Sequence, residues 1–232
     1  MGVTPYLIVA AVVVIGGGIA YLSYLQAKRR REAFAAFAAS QGWSYASVND
    51  QLAHQWRGEP FDTGDNRRAI NAVTGQFQGR PVIAFDYSYQ THTTDSEGRR
   101  QTTTHRFGIV AVQMPGALPH LQVEHEGIFG GVLANAVGFK DLQFESERFN
   151  RTFRVKGEDR FGHAVITPRM MELLLARGEI AWRFDGNTLI GWANGSHDPR
   201  EILRRLDLLT QVIGQVPPYV WRDYAGVDPR QG

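Results

Sequence analysis

The sequence predicts an α+β fold, in which one N-terminal transmembrane helix precedes a mainly antiparallel β-sheet domain with two packed helices. Three observations support this prediction. Residues 4–25 contain no charged residue, and apolar residues alternate with period two through much of residues 67–114. Two later segments carry the capping signals of amphipathic helices. A pleckstrin-homology-like barrel closed by the last helix is one arrangement of such a domain.

The uncharged stretch is long enough for a membrane span, because the apolar core of a bilayer takes about 20 helical residues. A buried core helix would show a polar face, and a cleaved signal peptide would have a charged start and a shorter apolar core. We therefore predict a transmembrane helix over residues 1–26. Its small residues suit close packing against a second helix: Gly16, Gly17, Gly18 and Ala20.

Four consecutive cations follow this stretch, namely Lys28, Arg29, Arg30 and Arg31. The positive-inside rule places them, and the domain after them, in the cytoplasm, with the N-terminus outside. They are expected to lie against anionic headgroups of the cell membrane. The chain has 25 Lys and Arg against 23 Asp and Glu, so removing these four leaves 21 against 23. This balance argues against nucleic acid as a partner.

Residues 27–42 predict an Ala-rich juxtamembrane helix that leads into the domain, residues 43–232. Phe34, Phe37 and Ala38 lie at helical spacing, and Gly42 is placed to end the helix in the left-handed conformation. Trp43 is expected to pack this helix onto the domain.

The strand predictions follow the alternation of apolar and polar residues. Three strands form an antiparallel meander over residues 67–74, 81–89 and 105–114, joined by a hairpin loop at 75–79 and an exposed loop at 90–103. Later strands are predicted over residues 121–124, 141–145, 149–156, 180–184 and 188–192, the last two joined by a turn at 185–187.

Two helices are predicted from their caps. Thr167-Pro168 and Asp198-Pro199 each place an N-cap residue before a proline at the first helical position. The first helix ends before Gly178 and the second before Pro217. The second repeats apolar residues along one face, which is typical of a helix packed on a sheet: Ile202, Leu206, Leu209, Ile213 and Val216.

The chain contains no cysteine, which excludes disulfides, thiolate metal sites and cysteine nucleophiles. Residues 126–138 hold four glycines but no GxGxxG after a strand, so no dinucleotide loop is predicted. HExxH, GxSxG and P-loop motifs are also missing from the sequence. We therefore predict neither a metal nor a cofactor, and a non-enzyme is favoured over an enzyme.

Two groups of residues are candidates for a ligand or partner surface. The first is an alternating aromatic stripe, a residue pattern that more often belongs to a core: Phe85, Tyr87 and Tyr89. The second is a polar cluster, Glu145, Glu147, Arg148 and Arg151. On an extended chain its two carboxylates point to one side and could share a proton. The simpler interpretation is that the arginines neutralise them near a turn.

Several segments between residues 67 and 229 resemble an uncharacterised family of single-span membrane proteins from high-GC Gram-positive bacteria. The resemblance rests on RRAINAVTG, GRPVIAFDYSY, HRFGIVAV, ESERFNRTFRV, TPRMMELLL and VPPYVWRDY. It implies a membrane-anchored domain of unknown function and supplies no catalytic residue and no cofactor.

Together these observations predict a cytoplasmic, non-catalytic module held at the lipid bilayer. It would bind a partner protein or serve as an accessory subunit of a membrane complex. A domain that binds lipid or a small ligand at the inner leaflet is the alternative. A hydrolase using Glu145, Glu147 or a histidine is the third and least favoured possibility.

Overall fold

One eight-stranded antiparallel sheet forms the centre of the molecule, as described by a computed structural model that covers residues 4–125 and 140–228. Side chains are described from residue 14 onward, apart from that of residue 140. The strands are β1 (Ser44–Val48), β2 (Asp65–Phe77), β3 (Arg80–Thr94), β4 (Arg100–Leu118), β5 (Leu121–His125), β6 (Lys140–Leu142), β7 (Phe153–Gly157) and β8 (Ala181–Asn194).

The strand order is β1-β2-β3-β4-β8-β5-β7-β6, so that β1 and β6 lie at the two edges of a single sheet. Every described pairing is antiparallel. The helices are α1 (Thr4–Gln41), α2 (Glu147–Thr152), α3 (Asp159–Val165), α4 (Pro168–Arg177), α5 (Pro199–Gln215) and α6 (Pro218–Val220). The α+β class is thus confirmed, whereas a single sheet with two edges replaces the barrel arrangement.

The two predicted helices, α4 and α5, begin where their caps place them. The Thr167 side chain accepts a hydrogen bond from the Met170 N–H, and the Asp198 side chain accepts one from the Arg200 N–H. The five apolar residues predicted to line one face of α5 are all buried. The capping residues and the helical spacing of apolar residues therefore predicted α4 and α5 correctly.

Helix α1 is continuous over 38 residues and joins the predicted span to the predicted juxtamembrane helix. Phe34 and Ala38 are buried against the sheet, and Gly42 follows the helix with φ of 67°. The side chains of residues 4–13 lie outside the described residues. In the part of the chain that is described, none of the helices is long and apolar enough to cross a membrane.

The sheet is covered on both faces. On what we call the helix face, α1, α4 and α5 pack on side chains such as Val110, Val112 and Leu189. On the opposite face, which we call the loop face, a 3-10 helix (Asp50–His54) and the segment after it cover a mainly aromatic core. Residues from one strand alternate between the two faces, as the period of two requires.

Strands β3 and β4 continue through residues predicted to form an exposed loop. Thr91 pairs with Thr103 and Thr94 with Arg100, so the turn itself spans only residues 95–99 within this hairpin. β-branched threonines favour extended backbone even where both faces are exposed. The apolar alternation that identifies a strand is missing there, which is why the sequence pattern indicated a loop.

Two further predictions were wrong. The predicted turn at 185–187 lies inside β8, where Gly186 has φ of 59°. The strand continues because its first half pairs with β5 and its second half with β4. The predicted strand 149–156 begins as helix α2, because the Ser146 side chain accepts from the Phe149 N–H and caps it. The glycine-containing segment 126–138 lies outside the described residues.

Trp43 joins the end of α1 to the sheet and supplies a first prediction. Its indole N–H donates to the Gln76 carbonyl at 3.1 Å, and its ring packs edge-on against Phe37. A Cβ on Gly75 would lie 2.2 Å from the indole Cδ1. We expect Gly75→Ala to displace the ring and to lower the free energy of unfolding by about 1–3 kcal/mol.

Urea unfolding monitored by tryptophan fluorescence measures this effect. Gly214→Ala is the matched control, because no heavy atom of the described residues beyond the adjoining residues and the backbone of α5 lies within 4 Å of a Cβ built on this helical glycine. We expect it to be neutral or to stabilise the chain by up to about 1 kcal/mol. Equal stability of Gly75→Ala and the wild type would contradict the packing role of Trp43.

Candidate functional site

Helix α1 is joined to the sheet by a partly buried ion pair. The Arg30 guanidinium donates to both Asp86 carboxylate oxygens, through Nε at 3.1 Å and Nη2 at 2.9 and 3.1 Å. The Asp86 side chain on β3 is only 4% exposed. Arg30 also donates to the His197 carbonyl and lies over the Phe34 ring. Such multiply bonded arginine–carboxylate pairs constrain geometry as well as adding energy.

The Asp86 carboxylate has two further donors. The Asn71 side-chain amide on β2 donates to Oδ2 at 2.9 Å, and the His197 backbone N–H donates to Oδ1 at 2.8 Å. Asn71 in turn accepts a hydrogen bond from the Tyr45 hydroxyl at 3.2 Å. Donors from three separate parts of the chain thus compensate one buried charge. We call this group the α1 clamp: Arg30, Asn71, Asp86 and His197.

The His197 ring is fully buried between the sheet and α5. Its Nε2 lies 2.7 Å from the Ile109 carbonyl oxygen, and its Nδ1 lies 2.8 Å from Arg205 Nη1. Because a carbonyl only accepts, Nε2 carries the proton and Nδ1 accepts from the guanidinium. Burial first, and then the Arg205 charge, lower the pKa of His197 to about 3. The ring is therefore neutral at physiological pH.

A glycine makes room for this ring. A Cβ on Gly108 would lie 2.8 Å from His197 Cγ and 2.9 Å from Arg205 Nη1. Arg205 is itself held by Glu201, one helical turn earlier in α5, at 2.8 Å. The α1 clamp therefore depends on close approach of the His197 ring to β4.

The four cations predicted to lie at the membrane surface divide into two groups. Arg30 turns toward the domain, whereas Lys28, Arg29 and Arg31 are exposed on α1. Lys28 lies 3.9 Å from Glu32, one turn along the helix. The structure thus joins one of these cations to the sheet and leaves the other three exposed on the helix.

The small residues of α1 face open space. Apart from the adjoining residues and the backbone of α1 itself, no heavy atom of the described residues lies within 4 Å of a Cβ built on Gly16, Gly17 or Gly18, and Ala20 is exposed. The neighbouring large side chains are exposed too, by 57–73%: Val14, Ile15, Ile19, Tyr21, Leu22 and Tyr24. This part of α1 therefore presents uncovered apolar surface.

A second polar group lies on the loop face around Arg183 of β8. Its side chain is 2% exposed and donates to the carbonyls of Arg57 and Glu59 and to Asp185 at 3.0 Å. Its guanidinium also lies over the rings of Phe61 and Trp192. In the described residues its Nε has no hydrogen-bond partner. Arg183 thus fastens the segment after the 3-10 helix to the sheet.

Next to Arg183, the Glu59 carboxyl lies near Glu124 of β5 and Lys156 of β7. Glu124 accepts from the Gln122 side chain and lies 3.6 Å from Lys156 Nζ. Burial first, and then the Glu124 charge, raise the pKa of Glu59 to about 7. Such a carboxyl can exchange a proton near neutral pH. Among the described residues no group of three or more His, Cys, Asp or Glu could hold a metal ion.

The predicted aromatic stripe is buried beneath the segment that covers the loop face. Phe85 stacks on Trp56 with ring centroids 5.9 Å apart, and the Tyr87 hydroxyl donates to the Phe61 carbonyl at 2.8 Å. Tyr89 is 2% exposed. All three side chains of the stripe therefore contribute to the core.

The predicted polar cluster surrounds the start of helix α2. Glu145, Glu147, Arg148 and Arg151 are all exposed there. Glu145 lies in a bend and Glu147 begins α2, so the two carboxylates do not lie on one side of an extended chain as predicted. The structure brings neither carboxylate to the α1 clamp or to the group around Arg183.

Sequence reasoning missed Asp86, His197 and Arg183 as site residues. Asp86 lies on the same strand face as Ala84 and Ser88. The spacing of these three residues does not show that a helix covers the face. His197 directly precedes the N-cap of α5, so its position was visible but its burial was not. The available signal for Arg183 was a charge between Trp182 and Phe184 in an otherwise apolar strand.

Comparison with known proteins shows a similarity of fold. The chain is similar to the crystal structure of the mycobacterial trehalose monomycolate transport factor A, TtfA, with a TM-score of 0.60. The two share 14% sequence identity over 81% of this chain and 96% of that one. No family model matches the sequence, and no curated protein matches it. The likeness is one of fold.

The α1 clamp supplies a second prediction. Replacing Arg30 by methionine leaves the Asp86 charge buried without its cation, which costs about 3 kcal/mol. We expect Arg30→Met to lower the free energy of unfolding by that amount in urea titrations. Arg31→Met, one position along α1 but exposed, should change it by less than about 0.5 kcal/mol.

A double-mutant cycle separates the ion pair from general damage to α1. Adding Asp86→Asn to Arg30→Met removes the unpaired charge and should restore part of the lost stability. Additive losses in the double variant would contradict a direct interaction between the two side chains.

The low pKa of His197 predicts loss of stability in acid. Between its folded value of about 3 and its ordinary value of 6.5, the unfolded chain binds one more proton than the folded chain. The contribution of neutral His197 is complete above pH 6.5 and is lost as the pH falls toward 3. The slope is up to about 1.4 kcal/mol per pH unit.

Urea titrations from about pH 7 to about pH 4 measure this slope. The slope should be shallower in His197→Gln and unchanged in His54→Gln, a variant of an exposed histidine. Glu59 acts with the opposite sign between its ordinary pKa of 4.5 and its folded value of about 7, so differences between variants isolate His197. Equal slopes in all three proteins would refute the assignment.

Proposed function

We propose that this chain is a membrane-associated, non-catalytic accessory module that binds a partner protein. The observation that carries the proposal is the form of α1. It is one continuous helix whose C-terminal part is clamped to the sheet and whose described earlier part presents uncovered apolar side chains. Exposed apolar patches of this kind mark contact with a membrane or another protein.

The uncharged N-terminal segment and the cations that follow it support the same proposal. Residues 4–25 contain no charged residue and are followed by four cations. In the proposal this segment enters the bilayer as a single-pass helix, with the N-terminus outside and the domain on the cytoplasmic side. The α1 clamp would then transmit the position of the helix directly to the domain.

The glycines of α1 indicate where a membrane partner would pack. Gly16, Gly17 and Gly18 allow the backbone of a second helix to approach closely. The neighbour of similar fold is named a transport factor, and an accessory role beside a transport system is compatible with the proposal for this chain. The partner would thus be a membrane protein contacted through α1, the domain or both.

Membrane extraction tests the attachment. We expect the full chain to remain with membranes in alkaline carbonate, and a variant with Ile15→Arg and Ile19→Arg to be released because two charges oppose burial in lipid. Tyr219→Arg is the matched control at an exposed apolar residue of the domain, and it should stay membrane-bound. Release of the wild type together with the control would overturn the proposed attachment.

Cross-linking tests the partner. Because the chain has no cysteine, a single Gly17→Cys variant carries one thiol for a bifunctional reagent in intact membranes. We expect a cross-linked membrane protein that also co-purifies in mild detergent with the wild type. Recovery of the chain as a lone monomer, without a reproducible cross-linked product, would contradict the accessory role.

A further inference from the structure

Two arginines on the sheet flank α1 just beyond the α1 clamp. Arg68 of β2 and Arg106 of β4 both pair in register with Ser88 of β3. Directly opposed residues point to the same face of a sheet, and Ser88 shares the helix face with Asp86, two positions earlier. Arg68, Ser88 and Arg106 therefore form a row on the helix face, about 7 Å beyond the row that contains Asp86.

Helix α1 leaves the domain across this row. The end of α1 lies on one side of the α1 clamp, because Trp43 donates to the Gln76 carbonyl and Gln76 pairs with Pro81 of β3. Residues before Arg30 therefore continue past Asp86 toward the opposite side. A rise of about 1.5 Å per residue places residues 26–29 within about one turn of the arginine row. The exposed cations of α1 and the arginines of the sheet thus lie at the same end of the domain.

The N-terminus of α5 adds a further cation there. His197 belongs to the α1 clamp, and Arg200 follows it by three residues with a side chain that is 90% exposed. We call the exposed cations around the exit of α1 the basic collar: Lys28, Arg29, Arg31, Arg68, Arg106 and Arg200.

The basic collar carries a net positive charge. Three of its members have acidic partners, because Lys28 lies near Glu32, Arg68 near Asp50 and Arg200 near Asp198. Within the described residues, Arg29, Arg31 and Arg106 form no ion pair. Three of the six cations of the basic collar therefore have no acidic partner among the described residues, and their charge is available to an external anion.

Exposed apolar side chains adjoin the basic collar. Val48 of β1 pairs with Ile70 of β2, and they are 48% and 37% exposed. Ile70 pairs in turn with Asp86, which places this pair in the row of the α1 clamp. Cations bordering apolar residues match the interface of an anionic bilayer, where phosphates lie above the acyl chains.

We propose that the basic collar seats the domain directly on anionic lipid headgroups, so that the sheet as well as α1 contacts the membrane. This inference rests on the proposed membrane association of α1. Arginine suits the contact because its guanidinium can donate two parallel hydrogen bonds to one phosphate. The position of the domain above the bilayer would then depend on lipid charge.

The experiment uses the full chain in lipid nanodiscs. Because the chain lacks cysteine, Ile70→Cys can carry an environment-sensitive fluorophore next to the basic collar. We expect a blue shift of emission in discs of phosphatidylcholine with phosphatidylglycerol relative to phosphatidylcholine alone. The shift should disappear at about 1 M salt, where the Debye length falls to about 3 Å.

Variants identify the residues responsible. In the labelled chain, Arg68→Gln with Arg106→Gln should abolish most of the shift. The matched control, Arg148→Gln with Arg151→Gln, removes the same charge from exposed sites on α2 and should retain it. Val48→Cys provides a second label position, and circular dichroism verifies the fold of every variant.

The outcomes separate this inference from the proposed function. Failure of the chain to enter either disc would overturn membrane association itself. Entry into both discs with identical emission, or a shift retained after loss of Arg68 and Arg106, would overturn the basic collar alone. A shift produced by inorganic phosphate in phosphatidylcholine discs would overturn the assignment to lipid headgroups.

Discussion

The ion pair between Arg30 and Asp86 is the constraint on which the rest of this structure depends. An unpaired carboxylate at this buried position would be expensive, so the fold supplies donors from α1, β2 and the segment before α5. Satisfying Asp86 fixes the position of α1 on the sheet and brings His197 against β4. One buried charge therefore determines how a long helix, two strands and the N-terminus of α5 meet.

Because both faces of the sheet are covered, titratable side chains on either face can be buried and have shifted pKa values. On the helix face, the His197 ring is held neutral by burial and by the Arg205 charge, which lower its pKa. On the loop face, burial and the Glu124 charge raise the pKa of Glu59. The His197 N–H donates to Asp86, and the Glu59 carbonyl accepts from Arg183, so polar contacts hold separate segments against both faces of the sheet.

Local signals predicted part of the fold well. Proline and cap residues located α4 and α5, and alternation located most of the meander. Prediction failed where an element depends on distant partners, as in β8, whose two halves pair with different strands through residues 185–187. It failed again at α2, where the cap formed by Ser146 outweighed a strand-like alternation. Neither polar site was predicted, because both depend on which faces become covered.

The uncharged N-terminal stretch, the cations after it and the helix caps can be identified from the amino-acid sequence, because each is a property of neighbouring residues. The folded structure was needed to show which of four adjacent cations pairs with the sheet. Arg30 meets residues 56 and 167 positions away, and no local pattern encodes such contacts. They arise because α1 and α5 pack on the same face of the sheet. Arg30 of α1 and the His197 N–H just before α5 then both donate to Asp86.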